Sequence, residues 1–244
     1  IKLDGTISGI TFYKTRDGYL AREKGGVTAE KIANDPAFQR TRENGAEFGR
    51  AGKAGKVLRT SIRPLLQNAS DSRTVGRLTQ RMVKVIHADA TNPRGERNVI
   101  DGEAELLQGF EFNINAKLGT TLYAPFTATI DRVTGALTVD IPSYVPINMI
   151  VAPGGTTHYK IISAGVEVDF ENETYVADEQ SSAVLPWDAT ATTTLSLANS
   201  VTAASTHPLF VVLGIEFYQE VNGQMYSLKN GAFNALQMVK VSGV

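Results

Sequence analysis

Residues 35–66 read DPAFQRTRENGAEFGRAGKAGKVLRTSIRPLL, and the fold turns on how this stretch is interpreted. Its length and apolar spacing predict a helix, yet it carries Gly45, Gly49, Gly52 and Gly55. A glycine inside a helix costs roughly 1 kcal/mol relative to alanine, so four cost roughly 3–4 kcal/mol of propensity. Gly45, Gly49 and Gly52 follow the i, i+4, i+7 rule and share one face, with Ala46, Ala51 and Gly55 beside it. Such a strip lets another backbone approach closely, and dispersion contacts along it offset the lost propensity. Two occupants fit: a second helix of the same chain, or a neighbouring copy of the molecule. Phe38, Phe48, Leu58, Ile62, Leu65 and Leu66 supply the apolar side. Pro64 should break or kink the helix, because proline lacks the amide donor and clashes with the preceding turn.

Upstream, residues 6–24 predict a β-hairpin. Ile7, Ile10, Phe12, Tyr19 and Leu20 are strand formers, and Thr15-Arg16-Asp17-Gly18 supplies the turn. A two-stranded hairpin alone is marginal in water, so this one must dock on its own domain or, as an arm, on a neighbour's sheet edge. Gly25-Gly26 makes a joint after it. Helix starts are signalled at Thr28 and again at Asp35-Pro36. The wording GTISGITFYKTRDGYLAREKGG (residues 5–26), followed by NDPAFQRTRENGAEFGRAGKAGK (residues 34–56), resembles the opening of uncharacterised proteins from Bacteroidota genomes. That resemblance covers about the first quarter of the chain. It implies a bacterial or phage-like structural role and brings no catalytic residues with it.

Downstream, residues 72–88 predict a second helix, with Val75, Leu78, Met82 and Val85 or Ile86 as its buried stripe. Arg73, Arg77, Arg81 and Lys84 line up on another face. From about residue 118 the period becomes alternating. Strands are expected at 126–131, 137–141, 157–163, 165–170, 192–197, 209–221, 224–228 and 232–241, with turns at Asn222-Gly223 and Asn230-Gly231. The expectation is an α+β chain: a β-hairpin arm over 1–26, a basic two-helix region over 27–100, and an acidic antiparallel β-sandwich or barrel over 101–244.

The net charge of −1 conceals a strong segregation. Residues 36–100 hold thirteen Lys/Arg against five Asp/Glu, and residues 101–244 hold five against fifteen. The basic part can grip nucleic acid, or it can grip the acidic part of its own chain or of another copy. Glu167, Asp169, Glu171 and Glu173 alternate with apolar residues and are expected on one strand face, which reads as a solvated face, as a docking surface for the basic stripe or, last, as a calcium site. Nucleic acid is the weaker reading, since no aromatic residue lies between Phe48 and Phe110 to stack on bases.

Three histidines, His87, His158 and His207, lie far apart, and cysteine is absent. Neither a phosphate loop nor a dinucleotide fingerprint occurs. We therefore expect no catalytic, metal or cofactor site, and no apolar run reaches the length of a membrane span. The function expected is that of a self-assembling subunit of a filament, tube, sheath or virion-like particle, extracellular or particle-associated, with other copies as partners. Its interface would comprise Ile7, Ile10, Phe12, Tyr19, Gly45, Gly49, Gly52, Arg73, Arg77, Arg81, Lys84 and the four acids. A nucleic-acid-associated role for the basic stripe is the first alternative. A carbohydrate- or surface-binding sandwich is the second, if Trp187, Tyr144 and Tyr159 are exposed together.

Overall fold

The computed structural model describes residues 3–23 and 26–243, apart from the Lys229 side chain; Gly25 of the expected joint lies outside the described residues. The chain divides into two compact units, Ile1–Gly45 and Ala46–Val244.

In the first unit the expected hairpin is a three-stranded antiparallel meander of β1 (Gly5–Ile7), β2 (Ile10–Thr15) and β3 (Gly18–Glu23). The 15–18 turn is where the sequence puts it, with Thr15 paired to Gly18. The extra turn is Ser8-Gly9, both at positive φ (47° and 83°), the geometry a two-residue hairpin requires. Ile7 and Ile10 are therefore cross-strand partners, not residues of one strand. Both helix-start signals are used. The Thr28 hydroxyl caps α1 (Ala29–Asn34), and the Asp35 carboxylate caps a 3₁₀ turn over Pro36–Phe38. None of the described residues from 3 to 45 is buried.

The long helix α2 (Gln39–Ser61) lends its first turns to that unit and the rest to the second. It ends before Pro64, which sits in the first turn of α3 (Arg63–Asn68), and α4 (Thr74–His87) follows. The remaining elements are α5 (Leu118–Thr121), β4 (Thr127–Asp131), β5 (Ala136–Ile141), α6 (Pro146–Met149), β6 (His158–Asp169) and β7 (Thr174–Ser181). The chain closes with β8 (Leu185–Pro186), β9 (Leu195–Ser200), β10 (Leu209–Val221), β11 (Gln224–Ser227) and β12 (Ala235–Ser242). The central pair is β6–β10. Strands β12 and β11 share the far edge of β10, while β7 and β8 share the far edge of β6. Residues 109–112 extend the sheet beyond β12, through Gly109 N to Met238 O (2.8 Å) and Phe112 N to Leu236 O (2.9 Å). A smaller sheet, β4-β5-β9, packs on it, and together they form a curled antiparallel half-barrel.

Two cores result, one on each face of the central sheet. On one side, Ala54, Leu58, Ile62, Leu78, Met82 and Ile86 of the helices meet Ile162, Val166, Phe210, Val212 and Leu236. On the other, Leu137, Val139, Ile141 and Leu197 of the small sheet meet Ile161, Val211, Leu213, Ile215 and Phe217. Strand β10 is thus covered on both faces, and its run LFVVLGI lacks polar alternation for that reason. The helices and the β-region consequently share one core from residue 46 onward.

Three local expectations are corrected. Residues 157–163 and 165–170 are one strand, not two. A Cβ on Gly165 would lie 2.7 Å from Asn199 Cβ and 3.2 Å from Leu137 Cβ, so this glycine marks close approach of the small sheet rather than a turn. Strand β7 was not anticipated, because its exposed sequence TYVADEQS carries no clear alternation. Val75 and Phe48 lie outside the core, 53% and 61% exposed; on α4, Thr74 and Thr79 fill buried positions instead.

Candidate functional site

The four arm residues named from sequence fall on one face. The register pairs Ile7 with Ile10 and Phe12 with Ala21, and side chains alternate along each strand. Ile7, Ile10, Phe12, Tyr19 and Ala21 therefore point one way, accompanied by Lys14 and Glu23. Thr11, Tyr13, Leu20 and Arg22 point the other, with the Arg22 guanidinium 5.6 Å from the Tyr13 ring centre. Ile7, Ile10 and Tyr19 are exposed, so no described residue of this unit covers the apolar face.

The glycine face of α2 is also open. A Cβ placed on Gly45, Gly49 or Gly52 would meet nothing within 4 Å, whereas one on Gly55 would touch Leu78 and Met82 at 3.8 Å. The own-chain helix expected against this strip reaches Gly55 and stops there. Gly49→Leu and Gly52→Leu should each raise the unfolding free energy of the dilute protein by about 0.5–1 kcal/mol, through helix propensity alone. Denaturant unfolding would check this; a fall in stability would place a chain segment over the strip.

The basic stripe separates into structural and unengaged members. Arg73 stands at the N-cap of α4, its amide donating to Asp71 Oδ1 at 2.6 Å. Arg77 donates to the carbonyls of Glu111 (2.6 Å) and Phe112 (3.2 Å), pairs with the Asp71 carboxylate, and lies 5.3 Å from the Phe110 ring centre. The Asp71 carboxylate also accepts from Ile114 N at 2.9 Å. Burial opposes its ionisation, but these amides and Arg77 outweigh burial and lower its pKa. This cluster joins α4 to the 109–114 segment. Arg81 and Lys84, by contrast, have no hydrogen-bond or ion-pair partner for their side chains among the described residues. With Lys117, which sequence periodicity gave no means of associating with them, they line an open cleft of about 310 Å³ bounded also by Gln80, Phe110 and Glu111. The Glu111 carboxylate is already engaged, accepting from Gln237 Nε2 (2.6 Å) and Leu118 N (3.2 Å).

The acidic set is not one strand face. The alternation stops where β6 ends at Asp169, and Glu171 and Glu173 lie in the β6–β7 turn, Glu173 at φ 55°. Glu167 is buried and accepts from the Ser205 hydroxyl (2.6 Å) and Thr202 N (3.1 Å). Asp169 accepts from Glu171 N and Asn172 N, both at 3.0 Å, which fixes the turn. Only Glu171 and Glu173 present carboxylates outward, Glu173 standing 3.9 Å from Lys53 with both side chains largely exposed.

Two buried carboxylates of the helical region went unnoticed in the sequence. Glu47 of α2 is 1% exposed; Arg97 grips both its oxygens (2.8 and 2.9 Å), Gly95 N donates at 2.8 Å, and His87 Nε2 is 3.3 Å away. The Arg97 hydrogen bond does most to hold its pKa down at about 2. Asp89 is also held at about 2: burial opposes ionisation but is outweighed by hydrogen bonds from Thr91, Asn92 and Asn98. These two groups order the turn-rich 89–102 segment. The alternative aromatic platform does not form, since Tyr144 and Tyr159 are buried with their hydroxyls 2.9 Å apart. Among the described residues no three His, Asp or Glu side chains cluster as a metal site, and no helix is long and apolar enough to cross a membrane.

No protein-family model and no curated protein sequence matches the chain. Among solved structures, a chain described as "pH-induced modulation of Streptococcus parasanguinis adhesion by Fap1 fimbriae" is similar over 56% of this chain and 89% of its own, at 14% identity and a TM-score of 0.25. A likeness that slight carries no argument about this protein.

Proposed function

We propose that the chain is a structural subunit that associates with other copies of itself into a filament, tube, sheath or particle, using its N-terminal meander as the docking arm. The observation that carries this reading is the uncovered apolar face of Ile7, Ile10, Phe12, Tyr19 and Ala21, in a unit where no described residue is buried. A small sheet is stable in water when its apolar face is packed against something, and a second copy supplies a partner wherever the protein accumulates. The role is one of scaffolding rather than of turnover. Sedimentation velocity and electron microscopy of the full chain at tens of micromolar test it. Discrete oligomers or polymers are expected; a monomer across that range would overturn the proposal.

A further inference from the structure

The cations that the fold leaves unengaged and the acids that it presents outward lie at opposite edges of the central sheet. The cleft of Arg81, Lys84 and Lys117 is built on residues 109–117, which extend the sheet beyond β12, while Glu171 and Glu173 cap the β6–β7 hairpin at the other edge. Across the positions 109–112, β12, β10, β6 and β7, at about 4.8 Å per strand, the two edges are roughly 19 Å apart, and the turn also lies further along β6 than Ser163, the residue level with Glu111 through Gln237 and Leu213. We propose that the cleft receives the acidic β6–β7 turn of a second copy, with Arg81, Lys84 and Lys117 paired to Glu171 and Glu173. This rests on the self-assembly reading and names a partner surface for it.

Charge complementarity selects this occupant. Arg81 and Lys84 find no carboxylate partner among the described residues; Lys117 acts on the floor carboxylate, Glu111, through charge alone, and the hydrogen bonds of Glu111 are taken up by Gln237 and the Leu118 amide. At the other edge, among the described residues, Glu171 has no side-chain partner and Glu173 has only the solvent-exposed Lys53, a pairing of the kind that adds little stability. The Asp169 hydrogen bonds fix the turn, so little conformational freedom remains to be lost on docking. A contact between different surfaces at opposite edges is heterologous, so each added copy offers a fresh cleft and a fresh turn, and growth closes only if the rotation returns to its start. Arg77 lines the same cleft but is committed to Asp71 and the 111–112 carbonyls, and it is left out of the contact.

Charge exchange tests the pairing in the full chain. The double variants Arg81→Glu/Lys84→Glu and Glu171→Lys/Glu173→Lys alter exposed or half-exposed side chains, and their folding is checked by thermal unfolding of dilute protein. Each is expected to raise the concentration needed for assembly about tenfold or more, and the wild type should lose assembly similarly between 50 and 300 mM salt. The quadruple variant, in which the signs are exchanged, should assemble within about threefold of the wild type. Unchanged assembly in either double variant, failure of the quadruple variant to recover, or indifference to salt would each overturn the proposal while leaving self-assembly standing. Assembly that requires bound nucleic acid, seen as excess absorbance at 260 nm, would assign the cleft to phosphates and overturn it too. A wild type that stays monomeric removes the self-assembly reading itself, and that result is read from the unmodified protein alone.

Discussion

Glu47→Gln is expected to lower the unfolding free energy by about 3 kcal/mol. The Glu47 carboxylate is held near a pKa of 2 against an ordinary value of 4.5, a difference equivalent to about 3 kcal/mol of folding energy. Glutamine keeps the shape but offers Arg97 one acceptor where it had two, and it turns an amide group toward a cation that is itself only 19% exposed. The cost thus comes mainly from leaving Arg97 without its counter-charge. Replacing both partners, as in Glu47→Leu/Arg97→Met, should recover much of the loss, because a packed apolar pair needs no desolvated charge. The pH dependence has a definite sign. A depressed carboxylate pKa contributes stability that is complete above the unfolded value, here about 4.5, and is lost as pH falls towards 2. Asp89 adds a parallel loss from an ordinary value of 3.8 towards 2. Chemical unfolding at pH 6, 4, 3 and 2 should show the wild type weakening steeply below pH 4.5, with Glu47→Gln following a shallower course. Parallel curves for the two proteins would remove Glu47 from the account.

Why that network escaped the sequence, while the sheet around it did not, is a matter of range. Turn chemistry is local, so Arg16-Asp17-Gly18, Asn222-Gly223 and the caps at Thr28 and Asp35 could be read from adjacent residues, and the structure places each of them. The α+β class followed from periodicity in the same way. Glu47 and Arg97 are fifty residues apart, and nothing in the spacing of either announces a partner. The basic stripe was legible as a stripe, because helical geometry fixes the positions of Arg73, Arg77, Arg81 and Lys84. Which of them are already committed depends on the carbonyls of residues 111 and 112, which belong to another part of the chain. Alternation misled at residues 167–173, since a polar–apolar pattern does not reveal where a strand ends and its turn begins. At Gly165 the residue most often read as a turn former was required by packing. The glycine strip of α2 was read correctly as a helix face; that no described residue lies within 4 Å of a Cβ placed on Gly49 or Gly52 could come only from coordinates.

Removing residues 1–26 is expected to abolish assembly and to leave a folded protein. Both cores lie within residues 46–244, and no described residue of 3–26 is buried, so the truncated chain loses no packing that its own fold depends on. Its thermal midpoint should stay within about two degrees of the dilute full-length protein, the change that a few tenths of a kcal/mol produces in a domain of this size. Assembly is different. Ile7, Ile10, Phe12 and Tyr19 each contribute about 1.5–3 kcal/mol when fully buried, so even half-burial against a neighbour is worth roughly 3–6 kcal/mol per contact. At about 1.4 kcal/mol per decade, losing that weakens association by two to four orders of magnitude, enough to dissolve an assembly formed at micromolar concentration. Phe12→Lys with the rest of the arm retained should act in the same direction, since it places a charge in the middle of the apolar face. Circular dichroism separates the competing accounts. An unfolded truncated chain would mean that the meander completes its own molecule, and a folded one that still polymerises would mean that the arm is not what joins the copies.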